Sequence, residues 1–481
     1  MNNRFFENPA CRRFIIGVLA LAHIPYKVAA SRFDVSKSQY YSLQSYAERL
    51  LEGLFGIGET PRKVLLVTDS FIARCVMCLS LYCRAPTEGI VQFFDLVIGY
   101  HVSKGSIYRI RKRAAEKASA FDESIHLDDI REIATDEIFQ QGKPVLTGID
   151  LDSNYVFMIK AEEDRSGETW AKCLEEQKLK GLAPELNVSD SGSGLQRGIE
   201  QAFPGIGHQP DAFHMLRALG QEVRRVERYV LSALREYCKA EYSIFYRKRG
   251  NPTKEDGKTY WRWHGAIDDI LQQADEVLIL YEWIREAAGF TGCCYAKSLA
   301  ICEWILDEMA KRFPERQKYQ QAIRAFRREL QELLSFLLRI QNKMSEKSKD
   351  FPLVNEHDFM LLYQQRFCTS SKKWELMENR LWKRFGRRLP EAKEVLDILL
   401  RTTHRASSMI ENLNGRLRCF IDLKREIPES FMILIKVFFN TKKQIRSRHG
   451  NRKGTSALDR LTGKQNPEFL DIVTAPMNYI F

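Results

Sequence analysis

Between Glu132 and Ala161 the chain sets three apolar, β-prone runs in quick succession, 132–139, 144–150 and 154–161, separated by Gly142-Lys143 and Asp152-Ser153. Turn-forming breaks between short runs of this kind predict an antiparallel meander. Glu168–Leu182 then reads as a helix, Leu186–Ser189 as a fourth strand and Gly194–Phe203 as another helix. A strand reached through a crossover helix is expected to lie beside and parallel to the first. That would bring Asp190, at the end of the fourth strand, near Asp136 on the first.

Around this sheet the pattern is helical. Residues 9–54 read as three helices, the second being Tyr26–Phe33, and Ser36 with Gln39 forms a capping-box signature for the third. This is helix-turn-helix spacing, and Lys37, Ser38, Gln39, Tyr40 and Gln44 would be presented to phosphates or base edges. A second such unit spans 86–120, with a helix from Pro86-Thr87 through Ile98, a turn at Gly99–Val102, and a Ser103-capped helix carrying Lys104, Ser106, Tyr108, Arg109, Arg111, Lys112 and Arg113. The alternative for both is a small bundle with a solvated charged face. Gly58–Arg62 reads as the joint between them.

From 213 to about 400 helical periodicity governs. Leu216, Leu219, Val223, Val226, Val230, Ala233 and Tyr237 mark one long helix, and Ile323, Phe326, Leu330, Leu333, Leu337 and Ile340 another. Trp170 reads as core, and Trp261, Trp263 and Trp283 as buried bundle packing, with stacking on a flipped base as the alternative. After Arg401 the chain is basic, Arg405, Arg416, Arg418, Lys424, Arg425, Lys436, Lys442, Lys443, Arg446, Arg448, Arg452 and Lys453 outweighing the nearby acids. The whole chain of 481 residues carries a formal charge of +12, which favours a polyanionic partner.

Three acid-bearing segments stand out: Ala134–Phe139, Val188–Gly192 and Ser408–Asn414, with Asp136, Asp190 and Glu411. Carboxylates from two strand ends and a helix suit a hard divalent cation. Glu137, Asp150, Asp152, Asp211, Glu426 and Glu429 compete for these roles. His214 could orient a phosphate or a carboxylate, or be an ordinary hydrogen-bonded structural histidine.

Residues 133–219 resemble the catalytic core of bacterial insertion-sequence DDE transposases through Asp136-Glu137-Ile138-Phe139, Gly142–Leu146, Asp164–Trp170, Ser189-Asp190 and Asp211-Ala212-Phe213-His214, and the resemblance resumes at Ser407–Arg418. It implies a multidomain α+β chain: a helix-turn-helix module at 1–57, a second at 58–125, an RNase H-like core beginning at 126–219, a helical insertion at 220–400, and a closing helix with a basic tail at 401–481. It also implies Asp136, Asp190 and Glu411 as catalytic ligands of two Mg²⁺ or Mn²⁺ ions once DNA is bound, with Asp136 bridging. Asp211, His214, Asn412 and Asn414 would be accessory, and Arg416 and Arg418 would contact phosphate. Double-stranded DNA, as transposon ends and target, is the implied partner, held by a homodimer or larger oligomer. The rivals are a transposase-derived DNA-binding protein without catalysis, and an RNase H-fold nuclease or resolvase.

Other classes fit less well. Eleven scattered cysteines form no disulfide framework in so long a chain, and Cys75, Cys78 and Cys83 read as helix cysteines rather than zinc ligands. Phe14–Ala22 is short and is preceded by Glu7, unlike a signal peptide. No stretch of about 18 uninterrupted apolar residues occurs. No Gly-x-x-x-x-Gly-Lys-[Ser/Thr] loop is present. A soluble, cytoplasmic, nucleoid-associated bacterial protein is expected.

Overall fold

The computed structural model describes residues 16, 17, 22, 24–33, 35–55, 67–190, 192–246, 249–289, 294–405, 408–422, 427–447 and 452–474. Gly58–Arg62, Ser191, Ser407, Lys424, Arg425, Glu426, Arg448 and most of the expected first helix lie outside them. The chain divides into two compact units, Met1–Ile72 and Ala73–Phe481.

In the first unit, helices Tyr26–Phe33 and Lys37–Phe55 flank a short turn. The capping box forms: Gln39 N–H donates to Ser36 Oγ (3.2 Å) and Ser36 N–H donates to Gln39 Oε1 (3.0 Å). Lys37, Ser38 and Gln39 are exposed. Tyr40 corrects the expectation of a DNA-facing side chain. It is buried with Ile16 and Ala29, and its hydroxyl donates to the Ile24 carbonyl, because the position one turn into the helix faces the small core.

The second unit holds a five-stranded sheet of order β3-β2-β1-β4-β5, with β1 Glu132–Gln140, β2 Lys143–Asp150, β3 Val156–Ala161, β4 Leu186–Ser189 and β5 Gly207–Pro210. β1, β2 and β3 form the expected antiparallel meander, and β4 runs parallel to β1 with Ala134 opposite Val188. β5 runs parallel to β4.

The period of two sorts β1 onto two cores. Ile133 faces the helices Gly167–Lys178 and Ser193–Ala202 with Trp170, Leu174, Leu195 and Ile199, whereas Ala134 and Ile138 face the opposite layer of Lys104–Glu123, Ser408–Ile421 and Glu429–Thr441. Asp136 therefore points to the same side as the helix of Glu411. Glu429–Thr441 is apolar all round and buried accordingly. Its Asn440 serves as a pseudo-strand for β3, accepting from Val156 N–H (2.7 Å) and donating to the Val156 carbonyl (2.8 Å).

Buried Lys436 on that helix lies 2.8 Å from Asp122, which also pairs with Lys180 at 2.7 Å. Burial pushes the Asp122 carboxyl up, but the two ammonium groups outweigh it and hold it below the usual carboxylate range.

Pro86 and Thr87 open a helix that widens into a π-turn at Phe94–Ile98, Gly99 turns in the left-handed region (φ 71°), and Ser103 caps Lys104–Glu123 by accepting from Ser106 N–H at 3.1 Å. From Ala212 to Arg401 the secondary-structure elements among the described residues are all helices. The first apolar seam is one helix, Ala212–Glu241. The second is not: Gln317–Arg328, Leu330–Leu333 and Ser335–Ser348 are separate helices, broken at Glu329 and Leu334, yet Ile323, Phe326, Leu330, Leu333, Leu337 and Ile340 still share one core. Trp170 and Trp263 are buried, but Trp261 and Trp283 are exposed, Trp283 stacking on Trp304 (6.2 Å between centroids). Among the described residues no helix is long and apolar enough to cross a membrane.

Candidate active site

Asp136 occupies the middle of β1, half-buried, with each oxygen held. Glu137 N–H donates to Oδ1 (2.8 Å), and Asn414 Nδ2, from the helix Ser408–Ile421, donates to Oδ2 (2.6 Å). Asn414 is itself fixed by Thr147 Oγ1, which lies 3.1 Å from its Oδ1 and 2.9 Å from the Asp136 carbonyl. Burial, and then the charges of Asp190, Glu411 and Glu137, raise the Asp136 carboxyl to about 7, although the Glu137 N–H bond pulls the other way. Asp190 follows β4 directly, and Gly192 N–H donates to its Oδ1 at 3.3 Å. A Cβ on Gly192 would stand 3.1 Å from that oxygen, so the Ser-Asp-Ser-Gly word ends in glycine where the backbone comes closest to the carboxylate.

Glu411, in the first turn of its helix, places Oε1 3.2 Å from His214 Nε2. His214 Nδ1 stands 3.4 Å from Asp211 Oδ2, an ion-pair distance whose geometry falls short of a hydrogen bond. The Asp211 carboxylate raises the imidazole's pKa against the opposing effect of burial, with Glu411 and Asp136 adding to the rise. Asp211 Oδ1 also caps the helix Ala212–Glu241, accepting from Phe213 N–H (2.7 Å) and His214 N–H (3.2 Å). Asp190, Asp211 and His214 line a cavity of about 220 Å³.

The competing acids are otherwise engaged. Glu137 projects from the opposite face of β1 onto Arg165, and Asp150 closes a turn by accepting from Ser153 N–H (2.8 Å). Asp152 and Glu429 are exposed. Among the described residues no group of three or more His, Cys, Asp or Glu is arranged to hold a metal ion, and this covers Cys75, Cys78 and Cys83. Asp190 and Glu411 are each close enough for their charge to act on Asp136, without the three closing into a cage. Their chemistry still fits a hard divalent cation. The donors are carboxylate oxygens, and mutual repulsion in a half-buried place is what a cation would relieve.

The expected DNA contacts divide. Lys104, Arg109, Lys112 and Arg113 are exposed on Lys104–Glu123. Arg111 on the same helix turns inward, its Nε donating to Ser80 Oγ (3.0 Å), its Nη1 to Thr87 Oγ1 (2.8 Å), and its guanidinium lying over the Phe431 ring; burial lowers its pKa. It is corrected to a packing residue. Arg418 and Asn412 are exposed, whereas Arg416 is half-buried over the Phe439 ring at 4.0 Å.

Sequence reasoning missed the residues that seat the Glu411 helix. Arg339 Nη2 donates to the His404 carbonyl (2.7 Å) and to Gln209 Oε1 (3.1 Å), and His404 Nδ1 lies 2.8 Å from Glu132 Oε2. Ala212 N–H, at the start of the His214 helix, donates to the Arg405 carbonyl at 3.4 Å. No local pattern signals these ties.

A search of curated proteins finds no match. Among solved structures the chain is similar to the Drosophila P element transposase strand transfer complex at 13% identity, over 90% of this chain and 99% of that one, but with a TM-score of 0.23, too low to speak for a shared fold. Residues 73–284 match the family model "Transposase, Mutator family". That span, less than half of the chain, includes Asp136, Asp190, Asp211 and His214.

Proposed function

We propose that the protein is a DDE transposase: it binds the terminal inverted repeats of a mobile element and uses Asp136, Asp190 and Glu411 for divalent-metal-dependent strand cleavage and 3′-hydroxyl strand transfer. The observation that carries the reading is the meeting of three segments distant in sequence. Asp136 on β1 feels the charges of both Asp190, after β4, and Glu411 on a helix more than 200 residues later. The sheet order, an antiparallel three-strand meander continued by two parallel strands, supports an RNase H-like core.

Asp136, Asp190 and Glu411 would hold Mg²⁺ or Mn²⁺. When bound, such ions neutralise charge on the attacking and leaving oxygens of a phosphodiester. The chain's own residues set up that site. Asn414 and the Glu137 N–H fix the plane of the Asp136 carboxylate, and Gly192 leaves room for that of Asp190. Protonated at Nε2, His214 donates toward Glu411 Oε1 and holds that side chain beside Asp136. Exposed Lys37, Ser38 and Gln39 on one helix, and Lys104, Arg109, Lys112 and Arg113 on another, offer cationic and polar faces to the terminal repeats. Joining two ends calls for at least two copies of the chain.

The test uses duplexes carrying the inverted repeats that flank the gene. Wild-type protein with Mg²⁺ should nick and join them, while Asp136→Asn and Asp190→Asn should bind equally well and do neither. Nicking retained by either variant rejects the assignment, and nicking without joined product by the wild type points to a nuclease.

A further inference from the structure

A second concavity is separate from the carboxylates. It is a cleft of about 810 Å³ bounded by the end of β2, the Asp152–Asn154 turn, the far flank of the Glu411 helix and the chain after Phe439. Four arginines line it: Arg401, Arg416, Arg452 and Arg460. Some arginines elsewhere pair with carboxylates, as Arg312 does with Glu276 and Arg384 with Asp358, both at 2.9 Å, while Arg111 and Arg339 are held by neutral groups. Among the described residues none of these four has a carboxylate within ion-pair distance, and Asp152 is the one acid in the lining.

Neutral groups fix three of them instead. Arg401 Nε donates to the Asp397 carbonyl (3.1 Å), and Arg416 stacks on Phe439. Arg460 donates through Nε to the Ser153 carbonyl (2.9 Å) and through Nη1 to Thr455 Oγ1 (3.0 Å). Two donors in the lining residues lack an acceptor: Arg460 Nη2 and Nδ2 of Asn154, a residue whose backbone sits in the left-handed region at φ 63°. Burial and then the charge of Arg452 lower Arg460 to about 10, against the smaller opposing charges of Asp459 and Asp150.

Positioned guanidinium forks with spare N–H donors match phosphate oxygens. An apolar or cationic ligand would leave the donors unmet. The helix that walls the cleft with Asn412 and Arg416 carries Glu411 and Asn414 on its other flank, so a strand lying in the cleft is one helix width from the carboxylates.

We propose that this cleft seats the sugar-phosphate backbone of the DNA strand entering or leaving the Asp136–Asp190–Glu411 site. The assignment deepens the transposase reading and rests on it for the identity of the polyanion.

The test is fluorescence anisotropy of the full chain with a fluorescein-labelled 30-base-pair duplex between 0.05 and 0.3 M KCl. The pair Arg401→Gln/Arg452→Gln is compared with an equal charge change on the helical block, Lys349→Gln/Lys372→Gln. Losing two phosphate contacts should lower the slope of log affinity against log salt by about 1.8 and weaken binding roughly 60-fold at 0.1 M, with the block variant little changed. Arg401→Lys/Arg452→Lys should restore most of the slope, which a misfolded protein would not. Equal slopes for the two Gln pairs overturn the proposal. So does a cleft that answers only to inorganic phosphate, seen as a melting shift at matched ionic strength that the cleft variant lacks while its DNA binding is intact. Asp136→Asn separates the two readings: if it still cleaves, the carboxylate assignment fails, while the salt slope judges the cleft by itself.

Discussion

Asp136→Asn is expected to stabilise the metal-free protein at neutral and alkaline pH. Burial first, and then the charges of Asp190 and Glu411, lift the carboxyl from its ordinary 3.8 to about 7. The unfolded chain ionises the same group near pH 3.9, so across the window from about pH 4 to about pH 7 the folded state keeps a proton that the unfolded state releases. The sign is opposite to that of a salt-bridged aspartate: stability falls as pH rises through the window and levels off above it. Three pKa units at about 1.4 kcal/mol each amount to about 4 kcal/mol. An asparagine never ionises and removes the whole penalty. Its amide can be accommodated, since Asn414 can turn to offer Oδ1 while Thr147 Oγ1, already 3.1 Å away, accepts from its Nδ2. Urea unfolding in EDTA should show a gain for the variant of about 1.5 kcal/mol at pH 5 and about 4 kcal/mol at pH 8. Mg²⁺ should narrow the gap by stabilising the wild type alone. A variant no more stable than wild type at pH 8, or a gain that does not grow with pH, refutes the reasoning.

Three further outcomes can be checked. Lys436→Met leaves Asp122 with a single counter-charge in a buried place and should cost about 3–5 kcal/mol in urea unfolding at pH 7; because the Asp122 carboxyl is held low, its contribution is present above about pH 4 and lost as pH falls further, so the penalty should shrink toward pH 2. Gly192→Ala pushes a methyl against Asp190 Oδ1 and should slow Mg²⁺-dependent nicking roughly tenfold while the melting temperature is unchanged. Arg339→Met removes the donor to the His404 carbonyl and to Gln209 and should reduce turnover at saturating DNA more than it reduces DNA affinity.

The sheet was legible because its signal is local. Turn residues at 142–143 and 152–153 delimit the meander, and one crossover helix is enough to set β4 beside β1, hence Asp190 near Asp136. The Ser36–Gln39 capping box was legible for the same reason. Rotation about a helix axis was not. Arg111 and Tyr40 look like their exposed neighbours in sequence, and only packing against Phe431 and Ile24 turns them inward. Periodicity at 323–340 identified the buried face but not the continuity of the backbone, since the breaks at Glu329 and Leu334 preserve that face. The bond from Asn414 to Asp136 spans 278 residues and depends on the setting of a whole helix, information that no window of sequence contains.

That setting gives the helical block a role beyond spacing. Glu411 can serve the other two carboxylates only if the helix Ser408–Ile421 starts at a fixed point over β1, and residues 404 and 405 lie just before that start. Three elements hold those two residues directly, β1 through Glu132, the start of the His214 helix through Ala212 N–H and the block itself through Arg339, and β5 holds Arg339 through Gln209. Burial would raise the Glu132 carboxyl pKa, but the bond and charge of His404, with the charges of Lys343 and Arg339, together hold it below the usual value. β5 is anchored to the block a second time, Gln209 Nε2 donating to the Leu333 carbonyl at 2.9 Å, at the short helix between the two breaks in the 323–340 seam. The interruption of that seam thus frees a backbone carbonyl where the sheet edge needs one. A continuous helix would have directed Leu337 N–H to Leu333 O, whereas here it donates to Leu334 O and leaves Leu333 O turned to Gln209.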